Sequence, residues 1–174
     1  MIKKIFLVVL LFLSIEATKK VNPIKVSKIP MSEPSQVEKF MKKVALIESG
    51  NDHRVVNEFG MMGKYQFSPS TVRGLGYKVD NKKFLSNSKL QDTVMLAYMK
   101  ANNRELRHII KRYNGKVHNG IKVTRAGILA GAHFAGSEGV VKYFRDGGVG
   151  ITDARGTTVH KYMSYFSTFN LPEL

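Results

Sequence analysis

Apolar residues recur at helical intervals along much of the chain. Val37, Phe40, Met41, Val44 and Ala45 share one face of "SQVEKFMKKVALIES", and Glu48 falls on that same face, four residues after Val44 and seven after Met41. Ser35, with Glu38 three residues on, makes a capping box, and Gly50 is a suitable stop, so the pattern predicts a helix over 36–49. Ser68 followed by Pro69 opens a second, short helix. In "NSKLQDTVMLAYMKANNRELRHIIKRYNG", Leu90, Val94, Ala97, Tyr98 and Ala101 form one stripe. Leu106, Ile109, Ile110 and Tyr113 form another that is out of phase, which predicts a break near Asn102–Asn103. Thr124 caps "RAGILAGAHFAG", "SEGVVKYFRDGG" makes one more helix, and Thr157 or Thr158 caps a last one through "VHKYMSYF". The glycine-punctuated "EFGMMGKYQFSPST" predicts a small hairpin or irregular lobe, and "NGKVHNGIKV" an exposed connection. No repeat, Rossmann or P-loop pattern is present. The expected fold class is mainly α: a helical domain with a small irregular or β lobe.

The first residues, "MIKKIFLVVLLFLSIEATKK", follow a different logic. Lys3 and Lys4 precede a short apolar run from Ile5 to Ile15 that ends near Ala17. A membrane-spanning helix needs about 20 such residues, so residues 1–17 are expected to be a secretory signal, with an uncleaved membrane anchor as the alternative. The proline-bearing, basic "TKKVNPIKVSKIPMSEP" predicts a linker over 18–33 and a folded domain over 34–174. Export to the periplasm, or to the extracellular cell wall, is the expected localisation.

Composition narrows the chemistry. The chain has no cysteine, which excludes disulfides, a thiol nucleophile, a cysteine zinc site and a lipid-modified cysteine. Its five histidines show no ligand spacing, so no metal and no cofactor are expected. The formal charge is +15, from 28 basic and 13 acidic residues. Such a surface is drawn to polyanions, and export favours an anionic wall polymer over nucleic acid or lipid.

Against that basic background, the position of Glu48 stands out. A carboxyl at the edge of an apolar helix face loses hydration on ionising, and the negative end of the helix dipole also disfavours a carboxylate. Both favour an acid able to donate a proton to a leaving group. The alternative is an ordinary surface glutamate at a helix end.

The segments around it resemble a family, the soluble lytic transglycosylases and goose-type lysozymes of the lysozyme-like superfamily. That family joins a helix ending in Glu-Ser to a glycine-rich stretch leading to Gln, then Pro and Thr. Here stand Glu48-Ser49-Gly50, then Gly60, Gly63, Gln66, Pro69 and Thr71 in "GMMGKYQFSPST". "ILAGAHFAGSEGVVKYF" is similar to the family's helix with an Ala-Tyr-Asn-Ala-Gly element, and "ITDARGTTVHKYMSYF" to a closing segment of phage-like relatives. The resemblance spans roughly 36–168 and implies a lysozyme-like α+β fold and cleavage of peptidoglycan. It implies Glu48 as catalytic acid/base, Ser49 as a support for acid or sugar, and Gln66 as a substrate contact. The family's Tyr-Asn pair falls on His133-Phe134, so His133 either takes over a substrate-binding role or is a core histidine. If the stretch 65–67 is extended, Tyr65 and Phe67 turn away from the Gln66 amide. Met61, Met62 and Tyr65 then offer an apolar floor for sugar rings, Phe67 being better suited to the core.

The resemblance implies that one glutamate suffices: it protonates the glycosidic oxygen, then takes the proton of the muramyl C6 hydroxyl, which closes a 1,6-anhydro ring with help from the acetamido group. A hydrolase needs a second carboxylate, and Asp52, Glu58, Glu138 and Asp153 carry no motif that places one opposite Glu48. Asp153 reads mainly as a turn residue. The expected partners are peptidoglycan glycan strands, with no specific nucleic acid, no membrane contact beyond an uncleaved signal, and a monomeric state. The rivals are a hydrolytic muramidase of the same fold, a non-catalytic wall-binding protein and an exported nucleic-acid binder.

Overall fold

The computed structural model describes residues 33–174 except 79, 149–151, 153–155 and 173. The expected signal, the linker apart from Glu33, and Asp153 lie outside the described residues. The elements run α1 (Gln36–Ser49), α2 (Pro69–Gly74), α3 (Asn81–Ser86), α4 (Ser88–Glu105), α5 (Arg107–Tyr113), β1 (Val117–His118), β2 (Ile121–Lys122), α6 (Arg125–Arg145) and α7 (Val159–Phe166). With 60% helix against 7% strand, the fold is mainly α.

Local chemistry accounts for most helix starts. At α1 the Ser35 hydroxyl accepts from the Glu38 N–H at 3.2 Å and the Glu38 carboxylate accepts from the Ser35 N–H at 2.7 Å, a complete capping box. Ser68, Asp80, Asn87, Thr124 and Thr158 cap α2, α3, α4, α6 and α7 with the side-chain half of that arrangement alone, each accepting an N–H that the helix leaves without a partner. Three features differ from expectation. The break in the long helical segment falls at Leu106, because Asn102 is itself buried and its carbonyl accepts the Leu106 N–H at 2.8 Å. The short helix α3, capped by Asp80, lies in a stretch with little apolar period. "NGKVHNGIKV" is a hairpin rather than a plain connection: Val117 pairs with Lys122 and His118 with Ile121. Its turn is Asn119-Gly120, with φ of 47° and 79°, the left-handed pair that suits a two-residue hairpin.

Helix α6 separates two apolar clusters. On one side Ala126, Leu129 and Ala130 meet Phe40 and Val44 of α1, Val94 and Met99 of α4, and Tyr162 and Phe166 of α7. On the other, Ile128, Ala132, Val140 and Tyr143 meet Leu106, Ile109, Val159 and Met163. Helices α6 and α7 pack closely because α6 presents glycine at the crossing: a Cβ on Gly127 would lie 2.7 Å from the Met163 carbonyl oxygen. At Gly136 the helix leaves helical geometry (φ 73°, ψ 168°), so it consists of two pieces meeting at a kink, in line with the two helices expected there.

Candidate active site

The end of α1 places Glu48. Val44 and Ala45, one turn earlier, are wholly buried, and Gly50 closes the helix with φ 65°, while the Asn51 N–H returns to the Ala45 carbonyl at 2.9 Å. Glu48 therefore stands where the buried face meets solvent, its side chain 23% exposed. It lines a cleft of about 550 Å³ whose walls include Asn57, Phe59, Met61, Gln66, Phe67, Tyr98 and His133.

Two groups face one oxygen of that carboxyl. The Tyr162 hydroxyl donates to Glu48 Oε1 at 2.5 Å. His133 Nε2 lies 3.7 Å from the same oxygen, beyond hydrogen-bond reach. Burial, reinforced by the adjacent Glu48 carboxylate, pushes the Tyr162 phenol well above its ordinary pKa and keeps it a donor. Burial also pushes the His133 imidazole below its usual value, outweighing the opposing pull of Glu48 and the Tyr65 backbone. His133 Nδ1 is buried without a well-formed hydrogen bond, and the ring packs edge-on against Phe67 and Tyr98 at 5.6 and 5.9 Å. The site thus sets a neutral imidazole beside the carboxyl, not a fixed positive charge.

The lobe over residues 53–67 brings Gln66 to the same cleft. It consists of short antiparallel bridges, Val56 with Met62 and Met62 with Phe67, so the expected small irregular lobe is present. Gln91 of α4, wholly buried, holds it from beneath: its Oε1 accepts the Lys64 N–H at 2.8 Å, and its Nε2 donates to the His53 and Phe84 carbonyls, both at 2.9 Å. Beside it, Asp92 Oδ1 accepts from Lys64 Nζ at 2.5 Å and from the Tyr65 hydroxyl at 2.6 Å.

These contacts correct the expected role of Tyr65. The stretch 65–67 is not extended, because Gln66 has φ 50°, and alternation therefore fails. Gln66 and Phe67 line the cleft, whereas Tyr65 is 3% exposed and faces Asp92 in a separate cavity bordered by Lys42 and Lys64. Met61 joins the cleft wall while Met62 is in the core. Gln66 Nε2 donates to the Gly63 carbonyl at 2.9 Å, which fixes the amide and leaves its oxygen as an acceptor. Ser49 does not line the cleft. Its hydroxyl donates to the Lys64 carbonyl at 2.9 Å and so ties the lobe to the end of α1.

Glu48 is the one carboxylate among the described residues that line the cleft. Asp52 is engaged in a turn, accepting the Arg54 N–H at 2.8 Å, and Glu138 borders another cavity with Lys142 and Arg145. Glu58 is exposed, next to two cleft residues but not among them. The described residues contain no group of three or more His, Asp or Glu able to hold a metal, and no helix among them is long and apolar enough to cross a membrane. Sequence reasoning missed Tyr162, whose spacing with Phe166 marks it as a core residue, which it also is.

No family model matches the chain, and comparison with curated proteins and with solved structures likewise finds no match.

Proposed function

We propose that the protein is an exported peptidoglycan lytic transglycosylase of lysozyme-like fold, acting as a monomer. The observation that carries this reading is that Glu48 is the one carboxyl among the described residues lining a cleft walled by amide, hydroxyl and aromatic groups. A single acid suits a reaction in which one group serves twice. Protonated Glu48 gives its proton to the oxygen between N-acetylmuramic acid and N-acetylglucosamine as the C1–O bond breaks. The carboxylate then takes the proton of the muramyl C6 hydroxyl, whose oxygen bonds to C1. The acid is restored, the ring closes, and no water is consumed.

The C6 hydroxyl has an advantage over water because it is already held near C1 in the same sugar. Tyr162 keeps the carboxyl oriented through both proton transfers by its hydrogen bond to Oε1. The positive surface, which favours anionic wall material, is consistent with a wall substrate.

The decisive experiment digests purified sacculi and weighs the products. Muropeptides ending in 1,6-anhydro-N-acetylmuramic acid, lighter by one water than hydrolysis products, are expected. Reducing ends carrying oxygen from labelled water would identify a hydrolytic muramidase. Binding to sacculi without any cleavage would identify a wall-binding protein.

A further inference from the structure

A turn on the wall of the cleft presents an aromatic ring to solvent. Phe59 is 73% exposed, yet it belongs to the wall of the cleft that holds Glu48. Its turn is closed by four hydrogen bonds that all involve Asn57. Asn57 Oδ1 accepts from the Phe59 and Met61 N–H groups at 2.9 and 3.0 Å, its carbonyl accepts from Gly60 at 3.0 Å, and its N–H donates to the Met61 carbonyl at 3.0 Å. An isolated exposed apolar side chain needs no explanation, but one carried on a cleft wall by a hydrogen-bonded turn is placed for contact.

The groups beside it indicate what it contacts. Asn57, Gln66, Ser68 and Thr71 supply amides and hydroxyls along the same wall, while Phe59 and Met61 supply apolar surface. A pyranose ring has this double character, with hydroxyl and acetamido groups at its edge and C–H bonds on its faces. We propose that Phe59 is a stacking platform for an N-acetylated aminosugar ring at the outer end of the cleft, setting where the strand lies relative to Glu48. The inference rests on the glycan-cleaving reading of the cleft and adds a binding residue to it.

The test is titration of the β-1,4-linked N-acetylglucosamine hexamer into the Glu48→Gln protein, where turnover cannot interfere. Adding Phe59→Ala should weaken binding roughly tenfold, and Phe59→Trp should retain it. Both variants should keep the parent's melting temperature, because the ring is mostly outside the core. Val117→Ala removes an equally exposed apolar side chain on the β1–β2 hairpin, which does not line the cleft, and should leave the affinity unchanged. If the Glu48→Gln protein binds the hexamer and Phe59→Ala matches it within twofold, the platform is wrong and the glycan reading stands. If the Glu48→Gln protein binds neither hexamer nor sacculi, both fall. A self-association lost in Phe59→Ala, with affinity for the hexamer unchanged, would make the ring a protein contact and overturn the inference.

Discussion

The hydroxyl of Tyr162 donates a 2.5 Å hydrogen bond to Glu48 Oε1 across 114 residues of sequence, joining the last helix to the end of the first. It is made possible by two packing facts. Tyr162 stacks on Phe134 at 5.2 Å, and α7 lies close to α6 because Gly127 leaves room for the Met163 carbonyl. Tyr162→Phe keeps the ring and removes only the donor. The carboxyl is 23% exposed, so water can replace the lost bond and the stability cost should stay near 1 kcal/mol. Activity on sacculi should fall by about ten- to a hundredfold, because the acid loses the group that orients it. An unchanged rate would show that Glu48 needs no help from α7.

Glu48→Gln tests the acid itself. The amide is nearly isosteric and still accepts from Tyr162, so the melting curve should move little. It has no proton to deliver, and removing a general acid typically lowers rates by about 10²–10⁴-fold. Wall lysis should therefore disappear within the sensitivity of a turbidity assay. Retention of a substantial fraction of activity in a folded variant would mean that the acid lies elsewhere.

His133 makes a prediction about pH and stability. Burial lowers its folded-state pKa below the ordinary 6.5, so between the two values the unfolded chain binds a proton that the folded protein does not. Stability should then fall as pH drops from 7 towards 5, by at most about 1.4 kcal/mol for each pKa unit of displacement. The carboxylates with lowered pKa, Glu38 and Asp146, lose their contribution only below their ordinary values, at more acid pH. Melting temperatures at pH 7 and pH 5 should differ less in His133→Gln than in the parent. Equal differences would show that the buried imidazole does not govern this window.

The local parts of this arrangement were legible in the sequence, and the parts that depend on contacts across the chain were not. Ser35 and Glu38 form a capping box from residues three apart, and the buried Phe40, Met41, Val44 and Ala45 follow from a 3.6-residue period. The same period places Glu48 at the boundary of that face. The resemblance implies Gln66 as a substrate contact and the structure puts it on the cleft wall, but a glutamine gives no sign of the positive φ that turns Tyr65 away. "NGKVHNGIKV" reads as a connection because the stretches flanking Asn119-Gly120 are too short to alternate, although Asn-Gly suits a two-residue hairpin turn. Tyr162 shares a helical face with Phe166, and nothing local distinguishes a buried phenol that also hydrogen-bonds a distant carboxyl.

The last prediction concerns the hub beneath the lobe. Gly63 has φ 71°, and a Cβ there would lie 2.3 Å from Gln91 Oε1. That oxygen accepts the Lys64 N–H, and the same side chain bonds to His53 and Phe84, so the amide cannot move without leaving buried groups unpaired. Gly63→Ala therefore combines backbone strain with loss of the hub, and should cost about 2–4 kcal/mol in urea unfolding. Gly76→Ala separates the two effects. It has φ 90° but nothing within 4 Å of its added Cβ, so strain alone acts, at about 1–2 kcal/mol. The Gly63 variant should also lose activity beyond its loss of folded protein, because the Gly63 carbonyl holds the Gln66 amide in the cleft. If the two variants prove equally stable, Gln91 has room to rearrange, and the lobe is held mainly by Asp92 with Lys64 and Tyr65.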